Sequence, residues 1–203
     1  MKPFTTVSGT CALLMLDNID TDQLAPGHTL MKIQTTGFGP DLFANWRYLP
    51  DGSPDPDFIL NNAPFDRAAF LVTGENFGCG SSREAAVWAV RDFGIRAVIA
   101  RSFGTIFMRN CYNNGVLPIA LSATDMEALL AAVSAHGHEV IVDLEQKCIF
   151  RPDGISIDFD ISDVDRDRLL AGLDQIGTTL SREHLIADFQ AKDRARRPWV
   201  YAC

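Results

Sequence analysis

Short apolar runs alternate with glycine-punctuated helical segments in the middle of the chain. The runs at 68–73, 97–100 and 117–119 have the length and the Ala, Val, Ile and Leu content of buried strands. The two intervening segments end at Gly94 and at Asn114-Gly115, which are typical helix stops. This order of strand, helix, strand, helix, strand predicts parallel pairing and an α/β fold.

The flanking segments predict a less regular start and a second, antiparallel part. A first strand is expected at 11–16, followed by a polar turn at 17–22 and a long irregular segment at 25–56 that contains a possible short helix at 41–48. An ordered loop of this length is usually functional or an interface. The later pattern predicts, in order, a helix at 126–134, alternating strands at 139–144, 147–150 and 155–161, and helices at 163–172 and 182–192 within a helical tail at 163–203. No linker is visible, so a single domain over 1–203 is expected.

Composition limits the classes of partner. The chain has 203 residues, a net charge of −8 and a pI of about 4.9. Such an acidic surface argues against nucleic acid or an anionic membrane as the main partner. A small anionic substrate remains compatible, because an arginine in a pocket acts locally.

Cysteine usage and the N-terminus predict a cytoplasmic protein that binds no metal. The cysteines at 11, 79, 111, 148 and 203 are dispersed and form no C-x-x-C pair. This distribution fits a reducing compartment and lacks the spacing of a zinc or iron–sulfur site. The N-terminus has no secretory signal, and the apolar run at 12–16 is too short to span a bilayer.

Residues 74–84, which read GENFGCGSSRE, are the strongest candidate for chemistry. They connect a predicted buried strand to a predicted helix. Glycines let backbone N–H groups approach an anion, so Gly78, Cys79 and Gly80 are predicted to surround one. The hydroxyls of Ser81 and Ser82 and the guanidinium of Arg83 follow at the helix N-terminus, where the helix dipole favours negative charge.

Known glycine-rich motifs do not fit this turn. Counted from Gly78, the third glycine of a dinucleotide-binding fingerprint falls on Arg83, and the turn has neither the lysine of a Walker loop nor a G-x-S-x-G elbow. A helix cap, with Ser81 or Ser82 as N-cap and Glu84 in the first turn, is the structural alternative. Capping leaves the arginine unexplained, because the dipole opposes a cation there. An anion site and a cap therefore both remain open.

The turn resembles the signature of the swivelling domain of the aconitase superfamily and, within it, the family of 3-isopropylmalate dehydratase small subunits. Other segments agree with that family in order and spacing over nearly the whole chain: residues 18–22, 36–39, 41–43, 45–47, 56–58, 102–103, 113–114, 117–118 and 173–177. The resemblance implies a β/β/α swivelling fold with a mixed sheet. It also implies reversible dehydration of a hydroxy-dicarboxylate in leucine biosynthesis, with a large partner subunit that holds a [4Fe–4S] cluster, while this chain binds no cofactor.

The resemblance also implies roles for individual residues. Ser81 corresponds to the base, used as an alkoxide, and Ser82 and Arg83 would hold a substrate carboxylate. Asp22 matches the aspartate of a Thr-Asp motif that orients groups in the site, although by itself it fits an Asx turn or a strand-end cap. Thr35 lies in the loop near 27–37, which in this family helps to select the substrate side chain.

The chain departs from the family pattern at two positions. Thr35 stands where the family commonly has arginine, and Ala85 stands where it commonly has histidine. The loss of a cation in the selecting loop leaves other substrates open: a different branched diacid, such as citraconate/2-methylmalate or dimethylmalate. A non-catalytic carboxylate-binding module is a further alternative.

Overall fold

A seven-stranded sheet organises residues 1–81 and 83–201, the part of the chain that the computed structural model describes, apart from the side chains of His28 and Leu30. The strands lie in the spatial order β4-β3-β2-β1-β5-β6-β7. They are β1 Thr6–Leu14, β2 Phe70–Thr73, β3 Ala97–Ala100, β4 Leu117–Ala120, β5 Glu139–Asp143, β6 Cys148–Phe150 and β7 Ser156–Asp158.

Strand β1 joins a parallel half of the sheet to an antiparallel half. Its residues Cys11–Leu14 pair in parallel with β2, and its residues Thr6–Thr10 pair antiparallel with β5. Strands β2, β3 and β4 continue the parallel half, and β6 and β7 continue the antiparallel half. The predicted α/β fold with a mixed sheet is confirmed.

Helices cover both faces of the sheet. They are α1 Thr21–Leu24, α2 Ala44–Arg47, α3 Glu84–Phe93, α4 Thr105–Asn114, α5 Ala123–His136, α6 Asp163–Ala171, α7 Gln175–Leu180 and α8 Glu183–Arg196. Successive strand residues point to opposite faces. Leu71 therefore packs into a core with α3, whereas Phe70 packs into a second core with α5. Every residue of β2 and β3 is buried, as expected of parallel strands covered on both sides.

Several predicted elements change. The helix expected at 126–134 extends to Ala123–His136, and the strand expected at 155–161 shortens to Ser156–Asp158. The first strand begins at Thr6 and ends at Leu14, rather than spanning 11–16, because pairing with β5 makes its first half a strand. The tail at 163–203 holds three α-helices among its described residues, with α7 inserted between the two predicted ones. In the segment at 25–56, the helix expected at 41–48 shortens to Ala44–Arg47.

The long segment at 25–56 packs closely against helix α3. Phe38, Leu42 and Phe43 are fully buried in the core that contains α3. At Gly39 an added Cβ would lie 2.7 Å from the carbonyl oxygen of Asp92, so this approach requires glycine. The segment is therefore anchored to the helix that follows the glycine turn.

No helix among the described residues is long and apolar enough to cross a membrane.

Candidate active site

The glycine turn lies across the carboxyl ends of three parallel strands. The Gly74 N–H donates to the carbonyl of Leu16 beyond β1, and the Arg101 N–H beyond β3 donates to the Gly74 carbonyl. The Phe77 N–H donates to the Ser102 carbonyl at 3.0 Å. Open α/β sheets commonly bind their ligands at this edge.

Two glycines of the turn adopt a left-handed backbone conformation that would strain other residues. Gly78 has a φ of +72° and Gly80 a φ of +85°. Gly78 also lies directly on α4, because a Cβ there would come within 2.2 Å of the Phe107 ring. Gly104 approaches as closely, since its Cβ would lie 2.5 Å from the Gly78 carbonyl oxygen. The turn is thus fixed against the start of α4.

Helix α1 holds the other side of the turn. The Gly78 N–H donates to the Ile19 carbonyl at 2.7 Å, the Thr21 N–H donates to the Cys79 carbonyl at 3.1 Å, and the Thr21 hydroxyl donates to the Ser81 carbonyl at 2.6 Å. Because the Gly78 N–H is used inside the fold, its predicted role as a donor to an anion does not fit this conformation.

A capping box formed by Asp20 and Gln23 closes the N-terminus of the short helix α1. The Asp20 carboxylate accepts from the Gln23 N–H at 2.8 Å, and the Gln23 side-chain oxygen accepts from the Asp20 N–H at 2.7 Å. This capping box belongs to Asp20. Asp22 therefore does not serve as the N-cap, and its carboxylate reaches across to Arg83 instead.

Arg83 connects the turn to helix α3 and pairs with α1. Its Nη1 donates to Oδ1 of Asp22, and its side chain is 21% exposed, against 54% for Asp22. Arg83 also occupies the N-cap position of α3, so the proposed capping by Ser81 or Ser82 is wrong. Ser82 itself lies outside the described residues. Glu84, in the first turn, accepts a hydrogen bond from the Asn114 side-chain amide at 2.8 Å.

A cleft of about 240 Å³ opens where the turn meets α1 and α4. Ser81, Arg83 and Thr21 line it together with Asn76 and Ile106. The sequence-based grouping of Ser81, Cys79, Gly80 and Arg83 in one site is thus reproduced in the described chain. A base candidate and a cation in one small cleft are suited to binding a carboxylate next to a carbon that loses a proton.

Thr35 lies apart from this cleft. It borders a neighbouring cleft of about 430 Å³ with Glu84, Trp88 and Arg91, and its carbonyl accepts from Arg91 Nη2. Ala85, the other departure from the family pattern, is 8% exposed and packs in the core. Neither of the two departures lines the cleft that contains Ser81 and Arg83.

Sequence reasoning missed two residues that organise this region. Thr21 holds two carbonyls of the turn, although only its neighbour Asp22 stood out in the sequence. Asn114 accepts from Trp88 Nε1 at 3.0 Å and donates to Glu84, although the sequence marked it only as a helix stop and as part of the family-like segment at 113–114. The signal available in the sequence for Thr21 was its place in the Thr-Asp motif next to Asp22.

Two buried cysteines, Cys11 and Cys111, are poorly suited to ligate an iron–sulfur cluster. Among the described residues, no three His, Cys, Asp or Glu side chains are grouped to hold a metal ion. Burial, reinforced by the charge of Glu139, raises the pKa of the Cys11 thiol to about 12. Burial also raises the pKa of Cys111 well above its ordinary value. Cluster ligation needs thiolates, which these two sites disfavour.

Comparison with known proteins decides the family. The model of the aconitase C-terminal domain matches residues 1–124, and the model described as LeuD_N matches residues 127–163. A 3-isopropylmalate dehydratase small subunit from Mesorhizobium japonicum is 48% identical over 98% of this chain and 100% of its own length. One from Leptospira interrogans is 46% identical over the full length of both chains. The chain belongs to the family of 3-isopropylmalate dehydratase small subunits.

A solved member of this dehydratase family has the same fold. The crystal structure of 3-isopropylmalate dehydratase (leuD) from Methanocaldococcus jannaschii matches with a TM-score of 0.67 and 27% identity, over 90% of this chain and 98% of that chain. The predicted family, the aconitase-type swivelling fold and the assignment to a dehydratase small subunit are confirmed at this level.

Proposed function

We propose that this chain is the small subunit of a hydro-lyase that interconverts 2-isopropylmalate and 3-isopropylmalate by dehydration and rehydration in leucine biosynthesis. The observation that carries the proposal is the similarity, at 46–48% identity over 98–100% of the chain, to proteins named as small subunits of that dehydratase. The cleft supports it, because Ser81 and Arg83 line the same wall.

Ser81 is the proposed base. Dehydration removes a proton from the carbon next to a carboxylate, and Ser81 as an alkoxide accepts that proton and returns it on rehydration. A serine hydroxyl is a very weak acid, so its alkoxide requires N–H donors and a cation nearby. The N–H groups of Cys79 and Gly80 remain the proposed donors, and Arg83 supplies the charge.

Arg83 is the proposed anchor for a substrate carboxylate. A guanidinium carries five N–H donors in a planar fork, so contact with Asp22 leaves capacity for a second carboxylate. Asp22 would fix the orientation of that fork. Ser82 completes the proposed carboxylate site by family resemblance. Thr35 is the proposed contact for the substrate side chain, at the end of the substrate away from Arg83. Thr35 and Glu84 both line the neighbouring cleft.

The proposed partner is a large subunit that carries a [4Fe–4S] cluster. When bound, such a cluster supplies a Lewis acid for the leaving hydroxyl. Cys11 and Cys111 do not suit cluster ligation, and the residues named above cover only proton transfer and carboxylate binding. A cytoplasmic location belongs to the same proposal and is supported by the dispersed cysteines. The net charge of −8 argues against nucleic-acid and anionic-membrane partners.

A substrate panel with the co-expressed large subunit tests the function. We expect 2-isopropylmaleate to be hydrated with the highest kcat/KM among 2-isopropylmaleate, citraconate and dimethylmaleate. Much faster turnover of citraconate or dimethylmaleate would assign the chain to a related dehydratase. Complex formation and dicarboxylate binding without turnover of any of the three would indicate a non-catalytic carboxylate-binding module.

A further inference from the structure

We infer that Thr21 is a positioning residue for the base, because it aims the Gly80 N–H and the Ser81 side chain into the cleft. The inference rests on the proposed role of Ser81. Thr21 bonds to the turn on both sides of Gly80: its N–H donates to the Cys79 carbonyl at 3.1 Å, and its hydroxyl donates to the Ser81 carbonyl at 2.6 Å. Thr21 is only 2% exposed, so water competes little for these bonds.

The first bond sets the direction of a donor. In a trans peptide, the carbonyl and the following N–H point in opposite directions. Because the Cys79 carbonyl points at Thr21, the Gly80 N–H points away from α1. Gly80 and Ser81 line the cleft, which Thr21 also borders. Thr21 thus orients a donor that the alkoxide or a substrate oxygen can use.

The second bond restrains the residue that carries the base. Gly80 has a φ of +85° and no side chain, so the peptides around it rotate at little cost unless something holds them. The Thr21 hydroxyl holds the Ser81 carbonyl, which restrains the Ser81 backbone and therefore the direction of its side chain. Small displacements of a catalytic group can reduce the rate about 100-fold.

Helix α1 does not need the Thr21 hydroxyl for its own formation. The reciprocal bonds between Asp20 and Gln23 cap this helix, at 2.8 and 2.7 Å. The Asp22–Arg83 pair uses a different side chain. A change confined to the hydroxyl should therefore leave carboxylate binding in place and affect the base.

The kinetic test compares Thr21→Val, which keeps the β-branched shape, with Thr21→Ser, which keeps the hydroxyl. In the enzyme assembled with its large subunit, we expect T21V to lower kcat about 10- to 100-fold with KM changed less than about threefold, and T21S to stay near wild type. Should T21V not assemble, Thr21→Cys, a weak donor of similar size, takes its place. Unchanged kcat in the variant lacking the hydroxyl, or equal losses in T21S, would overturn the inference.

A second measurement does not depend on turnover. In the isolated chain titrated with malate, the Gly80 amide resonance should shift in the wild type and in T21S but not in T21V. Equal shifts in all three proteins, or none in the wild type, would refute the positioning of that N–H. If the wild-type complex hydrates none of the three diacids while these shifts appear as expected, the proposed function and the link to a base fail, whereas the orientation of the Gly80 N–H by Thr21 stands.

Discussion

Asp22 and Arg83 form an ion pair that joins helix α1 to the start of helix α3, across 61 residues of sequence. The Asp22 side chain is 54% exposed. Exposed pairs contribute at most about 1 kcal/mol to stability. We therefore interpret this pair as a device that orients the guanidinium toward the cleft.

Asp22→Asn should raise KM several-fold with little effect on melting temperature. The amide keeps the shape of the carboxylate but loses the charge that holds the Arg83 fork. Steady-state kinetics of the assembled enzyme and thermal melts check this. Asp167→Asn is the matched control, because Asp167 pairs with Arg166 and is 68% exposed outside the cleft. An unchanged KM in D22N would remove the orienting role.

Arg83→Lys should raise KM and lower kcat/KM about 10- to 100-fold. Lysine keeps the charge but lacks the planar fork, and hydrogen bonds to a charged group contribute about 1.5–3 kcal/mol. Arg166→Lys serves as the control at a partly exposed arginine that also pairs with an aspartate. If R83K shows wild-type kinetics and only a lower melting temperature, Arg83 has a structural role in the turn.

Ser81→Ala should abolish measurable turnover while the chain still folds and assembles. Positioned proton transfer contributes about 10²–10⁴-fold to rate. The assay is hydration of 2-isopropylmaleate by the complex, with assembly measured by size-exclusion chromatography. Ser134→Ala, at an exposed serine of α5, should behave as wild type. A near-normal rate in S81A would exclude the serine as the base.

Gly78→Ala should destabilise the fold more than Gly52→Ala. Both glycines have positive φ values, +72° and +84°, so alanine strains both positions by about 1–2 kcal/mol. At Gly78 the new methyl would also overlap the Phe107 ring, whereas nothing lies within 4 Å of it at Gly52. Overpacking adds about 1–3 kcal/mol. Urea unfolding measures the difference, and equal losses would mean that the contact with α4 relaxes freely.

Iodoacetamide at pH 8 should label Cys79 before Cys11 and Cys111. The thiolate is the reactive form, and a raised pKa leaves less thiolate at a given pH. Cys11, with a pKa near 12, and the fully buried Cys111 should therefore stay protected in the folded chain. Cys79 lines the cleft. Peptide mass spectrometry follows the order of labelling, which should disappear in guanidinium. Labelling of Cys111 at the rate of Cys79 without unfolding would contradict the burial argument.

Much of the parallel half could be predicted from local sequence. The strand at Ala97–Ala100 was predicted with its observed bounds, and the helices after Arg83 and Gly104 end near the expected glycines. Each of these elements is a short apolar or helical run with its own stop signal. The chemistry of the glycine turn could also be predicted, because the types and spacing of its residues resemble one family.

Only the tertiary structure decided how the parts of the site are held. Thr6–Thr10 becomes a strand because β5 lies beside it. The Gly78 N–H cannot donate to an anion, because it already donates to the Ile19 carbonyl. Thr21 binds the turn, whereas Thr35 borders a separate cleft. These relationships depend on hydrogen bonds and packing between segments far apart in sequence. Local composition determines which residues can bond, but the packing of the folded chain determines which of them meet.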